Sequence, residues 1–130
     1  MPREYTCDAD KFAITMETLL KDLTDDVDGV MLPVVEEACR KGTKKVRAEA
    51  RSYGWKKYPK GFSYTTKKTR TLAVGEIGNR SLPGLVHLLE KGHAKVGGGR
   101  TREFRHVDPA AKETFKVFWE GMNEALGDVL

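Results

Sequence analysis

The chain has 130 residues, a length that suits a single domain. Its 23 Lys and Arg outnumber 19 Asp and Glu, for a net charge of +4. Its 39% apolar and 32% charged residues place it among globular rather than disordered chains. No apolar run approaches the ~18–20 residues of a membrane span, and the opening MPREYTCDAD carries no apolar signal core, so neither secretion nor membrane insertion is expected. Two cysteines, Cys7 and Cys39, exclude a disulfide-dense scaffold and a four-thiolate zinc site; they read as free thiols of a reducing compartment.

The modest net charge conceals a segregation. Residues 1–54 carry a net −2, residues 55–106 a net +9 and residues 107–130 a net −3. Between Arg40 and Arg70 twelve basic residues face Glu49 alone. Any function must accommodate a basic middle between acidic ends.

The first third reads as helix. Phe12, Met16, Leu19, Leu20, Leu23, Val27, Val30, Met31, Val34, Val35 and Ala38 recur at three- and four-residue steps, with Asp8 or Asp10 as cap. Pro33 removes one backbone donor, so a kink or split is expected near Gly29–Pro33. Val46 and Ala50 continue the apolar face until Ser52-Tyr53-Gly54 closes it. Forty helical residues in a line would be ~60 Å long, against the ~26–30 Å expected of a domain this small. That misfit asks for a bend or a neighbouring subunit.

Next, Phe62–Thr66 and Thr71–Ile77 are rich in aromatic and β-branched residues and pair most economically as an antiparallel hairpin, with Gly75 marking a bulge. Pro83 opens a short helix that ends at Gly92. Ala94 to Arg102 reads as a second hairpin tipped by three glycines. Asp108 as N-cap and Pro109 at the first helical position start a terminal amphipathic helix through Ala111, Phe115, Phe118, Met122, Leu126 and Val129, with Trp119 at its flank. The expected class is α+β, one domain over 1–130. It comprises N-terminal helices over 1–54, an antiparallel sheet over 55–107 with a short helix at 83–91, and a C-terminal helix over 108–130.

Candidate chemistry is sparse. His87, Glu90 and His93 recur at three-residue steps with His106 nearby, but the spacing of a helical zinc motif is absent and Gly92 interrupts the run. These residues read as structural, and no metal or cofactor is expected. Gly97-Gly98-Gly99-Arg100 lacks the Lys-Ser/Thr ending of a phosphate loop and reads as a mobile tip. Ser52, Ser63 and Ser81 sit in no nucleophile motif, so no enzyme is expected. The basic block is the weightiest feature. Lys44, Lys45, Arg47, Arg51, Lys56, Lys57, Lys60, Lys67, Lys68 and Arg70 interleave with Tyr53, Trp55, Tyr58, Phe62 and Tyr64. Cations can bind phosphates and aromatics can stack on bases, so a small basic nucleic-acid-binding protein is one reading; a solvated or partner-facing surface is the other.

Leu85-Val86-His87-Leu88-Leu89-Glu90-Lys91-Gly92-His93-Ala94, the glycine loop, and then His106-Val107-Asp108-Pro109-Ala110 are specific in combination. This stretch resembles the neck, or tail-completion, proteins of long-tailed phages, the lambda minor tail protein Z type. The likeness is dense over residues 82–111. At residues 52–70 the chain departs from the family pattern, keeping only Pro59-x-Gly61-x-Ser63. The resemblance implies a virion component at the neck, assembled in the host cytoplasm. It would join the tail to the head connector as a ring of identical subunits, without catalysis. Its partners would be itself and other tail and connector proteins, with non-specific contact to phage DNA left open and no membrane involved. His87, Glu90, Gly92, His93, His106 and Pro109 would then be a structural motif supporting the second hairpin. The Gly97–Arg100 tip would dock on a partner, and the basic surface would face a partner or DNA.

Overall fold

The computed structural model of the protein describes residues 3–7, 11–17, 24–68 and 72–129. Asp8, Asp10, Leu19, Leu20, Leu23, Arg70 and Thr71 lie outside them. The chain runs β1 (Arg3–Cys7), β2 (Lys11–Glu17), α1 (Thr24–Arg51), β3 (Phe62–Lys68), β4 (Leu72–Asn79), α2 (Val86–Lys91) and α3 (Val107–Val129). Two 3-10 turns, at Tyr58–Gly61 and Pro83–Leu85, lead into β3 and α2. The class is α+β, as the sequence indicates.

Among the described residues, four strands form one antiparallel sheet in the order β1-β2-β4-β3. The β3–β4 hairpin is the expected one. The other hairpin is not where the sequence reading puts it: β1 and β2 occupy residues assigned to helix, while the glycine loop contributes one isolated bridge, Ala94 to Arg100. Phe12 and Met16 are four residues apart, a spacing that suits a helix face and a strand face alike. The alternation of Phe12, Ile14 and Met16 with Lys11, Ala13, Thr15 and Glu17 has a period of two, and β2 sets those three opposite Ile77, Gly75 and Ala73.

α1 begins at Thr24 and runs as one helix of 28 residues through Gly29 and Pro33. Pro33 is exposed, so the missing hydrogen bond falls on the solvent side. At ~42 Å the helix is shorter than expected, and its length alone no longer calls for a neighbouring subunit. It stops where Gly54, at φ +88°, donates its N–H to the Arg51 carbonyl at 2.9 Å.

α1 lies across β3 and β4, and α3 packs along α1 and reaches β2. Met31, Val35, Ala38, Cys39, Val46 and Ala50 bury the apolar stripe of α1 against Phe62, Ala73 and Ile77 of the sheet and Ala110, Ala111, Phe118 and Met122 of α3. Small residues set the spacing. A Cβ on Gly42 would lie 1.9 Å from Thr114 Oγ1 and 2.8 Å from Ile77 Cδ1, so helix, helix and sheet meet there. Gly75 is not a bulge, since β4 keeps an unbroken register with β2 and β3 through it. A Cβ at Gly75 would lie 2.3 Å from Cys39 Sγ and 2.7 Å from Val35 Cγ1, so the glycine lets α1 sit close on the sheet. Burial, and secondarily the Glu36 carboxylate, push the Cys39 thiol up to about 12 and keep it neutral.

Gly75→Ala is expected to destabilise the fold by about 1–3 kcal/mol in urea unfolding. The loss should be smaller in a Cys39→Ala background, where the nearest obstacle is gone. Equal losses in both backgrounds would show that α1 does not bear on the sheet at this point.

Candidate functional site

Glu90 lies near the end of α2 and is 5% exposed, an expensive place for a carboxylate unless its charge is fully partnered. Its Oε1 accepts the backbone N–H groups of His106 and Val107, each at 2.7 Å, and its Oε2 that of Asp108 at 3.0 Å. These amides open α3, whose first turn leaves donors without intrahelical partners, and Pro109 adds none because it has no N–H. The cap expected from Asp108 therefore comes from a residue far upstream; Asp108 instead pairs with Lys112 at 3.1 Å. Burial drives the Glu90 pKa upward, but bonds from the His106 side chain and from the His106, Val107 and Asp108 amides outweigh it and hold the carboxyl at about 2.

The fully buried His106 ring extends this clamp. Its Nδ1 lies 2.6 Å from the Phe104 carbonyl and 3.0 Å from Glu90 Oε1, both acceptors, so Nδ1 carries a hydrogen. In the neutral ring, Nε2 then accepts the Tyr58 hydroxyl at 2.7 Å. Trp55, Tyr58 and Phe62 pack edge-on to the imidazole, with centroids 5.8, 5.5 and 5.9 Å away. Tyr53 packs on Phe104 at 5.1 Å and donates its hydroxyl to the Arg105 carbonyl at 2.8 Å. The aromatics interleaved with the basic block are thus largely spent on one another. Only Tyr64 among them is exposed, at 37%.

The clamp also holds the base of the glycine loop. Phe104 N–H bonds the Leu89 carbonyl at 2.7 Å, Thr101 N–H the His93 carbonyl at 2.8 Å, and His93 N–H the Thr101 hydroxyl at 2.9 Å. Gly92, at φ +71°, is where the loop presses on itself: a Cβ there would lie 2.5 Å from the Thr101 carbonyl oxygen. Arg100, expected to face a partner, reaches back toward the Lys91 and Gly92 carbonyls at 3.4 and 3.3 Å. Beyond the bridge, Gly97, Gly98 and Gly99 stand in open space and Val96 is wholly exposed. Of the expected motif, Glu90, His106 and Pro109 meet at the start of α3, while Gly92 and the exposed His93 set the loop base and His87 lies half-buried on α2. Among the described residues, no three His, Cys, Asp or Glu side chains are grouped to hold a metal ion.

The basic block is spread over two adjoining grooves that share Arg40 and Lys44, the connection to β3, and β3 itself. Lys44, Arg47 and Arg51 line a groove of about 400 Å³ between α1 and β3, together with Arg40, Thr43, Ser63 and Tyr64. Lys45 pairs with Glu49 at 3.1 Å and faces a neighbouring groove toward Glu113. Lys56, Lys57 and Lys60 are exposed on the connection to β3, and Lys67 and Lys68 are exposed on β3 itself. Arg47 donates its Nε to the Phe62 carbonyl at 3.0 Å, with a second bond from Nη2 to the same oxygen. Arg40 opens the basic window of the sequence but is not among its candidate contact residues, although Arg40, Lys44, Arg47 and Arg51 follow the i, i+4, i+7, i+11 pattern of one helix face.

No protein-family model, curated protein or solved structure matches the chain. Among the described residues, no helix is long and apolar enough to cross a membrane.

Because the Glu90 pKa falls from its ordinary 4.5 to about 2 on folding, its contribution is complete above pH 4.5 and is lost as the pH drops through 2. The loss amounts to roughly 3 kcal/mol. Glu90→Gln should cost about 2–4 kcal/mol at pH 7 and flatten the fall in urea-unfolding free energy between pH 5 and pH 2. An acid profile as steep as that of the parent would remove Glu90 from this role.

Proposed function

We propose that this chain is a neck or tail-completion protein of a long-tailed phage, joining the tail to the head connector as a ring of identical subunits and without catalysis. One observation carries the reading. The residues by which the sequence resembles that family, from Glu90 and Gly92 through the loop to His106 and Pro109, act in concert rather than as separate matches. Glu90 caps α3 across the loop, and Gly92 closes against Thr101. The result is a firm base beneath a glycine tip, a form suited to ordering on a partner ring. In this reading the protein acts at the neck of the virion after assembly in the host cytoplasm.

The row of four cations along α1 favours a second reading, a small basic nucleic-acid-binding protein. Burial of Tyr58 and Phe62 takes away part of the base-stacking platform that this reading needs.

The test is genetic. Deleting the gene from the phage genome that the first reading requires should leave filled heads and finished tails unjoined in electron micrographs. Joined, infectious particles from the deletion, or a gene that lies in no phage genome, would overturn it. The second reading expects duplex affinity that falls steeply with the logarithm of salt concentration.

A further inference from the structure

We infer that the open edge of β3, together with the cation row of α1, is a docking site for an extended acidic segment of another protein, which joins the sheet as a fifth strand. The inference goes beyond head–tail joining and does not depend on it.

Among the described residues, β3 lies at the edge of the sheet and pairs with β4 alone. Arg80 N–H bonds the Gly61 carbonyl at 2.9 Å, which makes Gly61 and Arg80 a hydrogen-bonded pair. In an antiparallel ladder such pairs alternate, so Ser63, Thr65 and Lys67 bond to β4 while Phe62, Tyr64 and Thr66 turn their N–H and C=O groups outward. The Arg47 bond to the Phe62 carbonyl agrees with this phase and closes one end of the edge. Tyr64 and Thr66 are left presenting alternate donors and acceptors, the pattern an added strand completes.

The occupant's charge follows from the balance beside that edge, where one carboxylate, Glu36, accepts the Thr66 hydroxyl at 3.4 Å and four cations stand further along α1. Arg40, Lys44, Arg47 and Arg51 line the groove between α1 and β3, spread over ~16 Å of helix axis. Arg40 is paired with Glu37, whereas Lys44 and Arg51 have no ion pair among the described residues. In an added strand every second side chain points to the α1 side, and three such positions span ~13 Å, within the length of the row. A segment with acidic residues at alternate positions therefore meets the cations while its backbone bonds the edge.

Two other occupants fit less well. A DNA backbone offers only acceptors, which would set phosphate oxygens against the Tyr64 and Thr66 carbonyls. A second copy of β3, paired antiparallel, would set Lys67 and Lys68 opposite uncharged residues or Lys60, and FSYTTKK has no acidic residue to meet either those lysines or the cations of α1.

The test uses the full chain and a synthetic peptide of about eight alternating Glu and Thr residues. Binding is followed by fluorescence anisotropy, and amide hydrogen exchange is read at Tyr64 and Thr66. Expected are slowed exchange at both amides and about tenfold or greater weakening when the peptide is N-methylated at alternate residues. The Lys44→Glu, Arg51→Glu double variant should weaken binding similarly. So should Thr66→Pro, which removes an outward N–H without touching the ladder to β4. No peptide binding, binding indifferent to N-methylation, or a DNA duplex protecting the same amides in its place would each overturn the inference.

Discussion

A carboxylate buried at Glu90 is tolerable only because three backbone amides converge on it, and much of the second half of the chain is arranged to keep them there. Helix N-termini need acceptors and buried carboxylates need donors, so one interaction settles two debts of polarity. It fixes the start of α3 relative to α2, and with it the exit and return of the loop between them. His106 can be fully buried for the same reason: its backbone and ring both find polar partners among Glu90, Phe104 and Tyr58. The aromatic side chains around it supply the apolar wall that makes those bonds strong.

Much of this could be read from the sequence because it rests on local rules. The stripe Met31, Val35, Ala38, Val46 and Ala50 shows the buried face of α1. Pro83 and Gly92 bracket the turn before the loop, and Ala111, Phe118 and Met122 show the buried face of α3. What escaped was non-local or ambiguous in period. Phe12 and Met16 satisfy both periodicities, and only the intervening Ile14 breaks the tie toward a strand. Asp108 looked like the cap because a local acidic residue is the ordinary solution. Nothing in spacing alone shows that Glu90, across a loop, takes that place. Gly75 was legible as unusual but not as a contact, since the reason for it is the Cys39 sulfur arriving from α1.

The charge segregation was plain in the sequence, but its partition needed the fold. Ten basic residues in one stretch suggest one surface. Helical geometry spreads them instead, with Arg47 and Arg51 on the β3 side, Lys45 on the α3 side with Glu113, and Arg40 and Lys44 lining both grooves. The aromatic interleaving dissolves likewise, because Tyr58 and Phe62 turn inward onto His106. A basic stretch that resembles a nucleic-acid platform along the chain is, in space, a cation row beside an aromatic core.

These two halves of the molecule meet at Phe62. Its ring packs on Tyr58 at 5.2 Å and so belongs to the cluster around His106, while its carbonyl accepts Arg47 and so belongs to the groove. Phe62 is also the first residue of β3, where the 3-10 turn hands the chain to the sheet. Asn79 secures the same corner from β4: its side chain donates to the Tyr58 carbonyl at 2.8 Å, and Gly61 leaves room for it, since a Cβ there would lie 2.3 Å from Asn79 Oδ1. The position of the β3 edge against α1 is therefore set at one end by the clamp that begins with Glu90, whereas the far end, at Lys67 and Lys68, carries exposed charge. The Arg47 bond to the Phe62 carbonyl and the Thr66 hydroxyl's 3.4 Å contact with Glu36 hold this edge against α1 at both ends, so its outward amides keep a fixed register with the cation row.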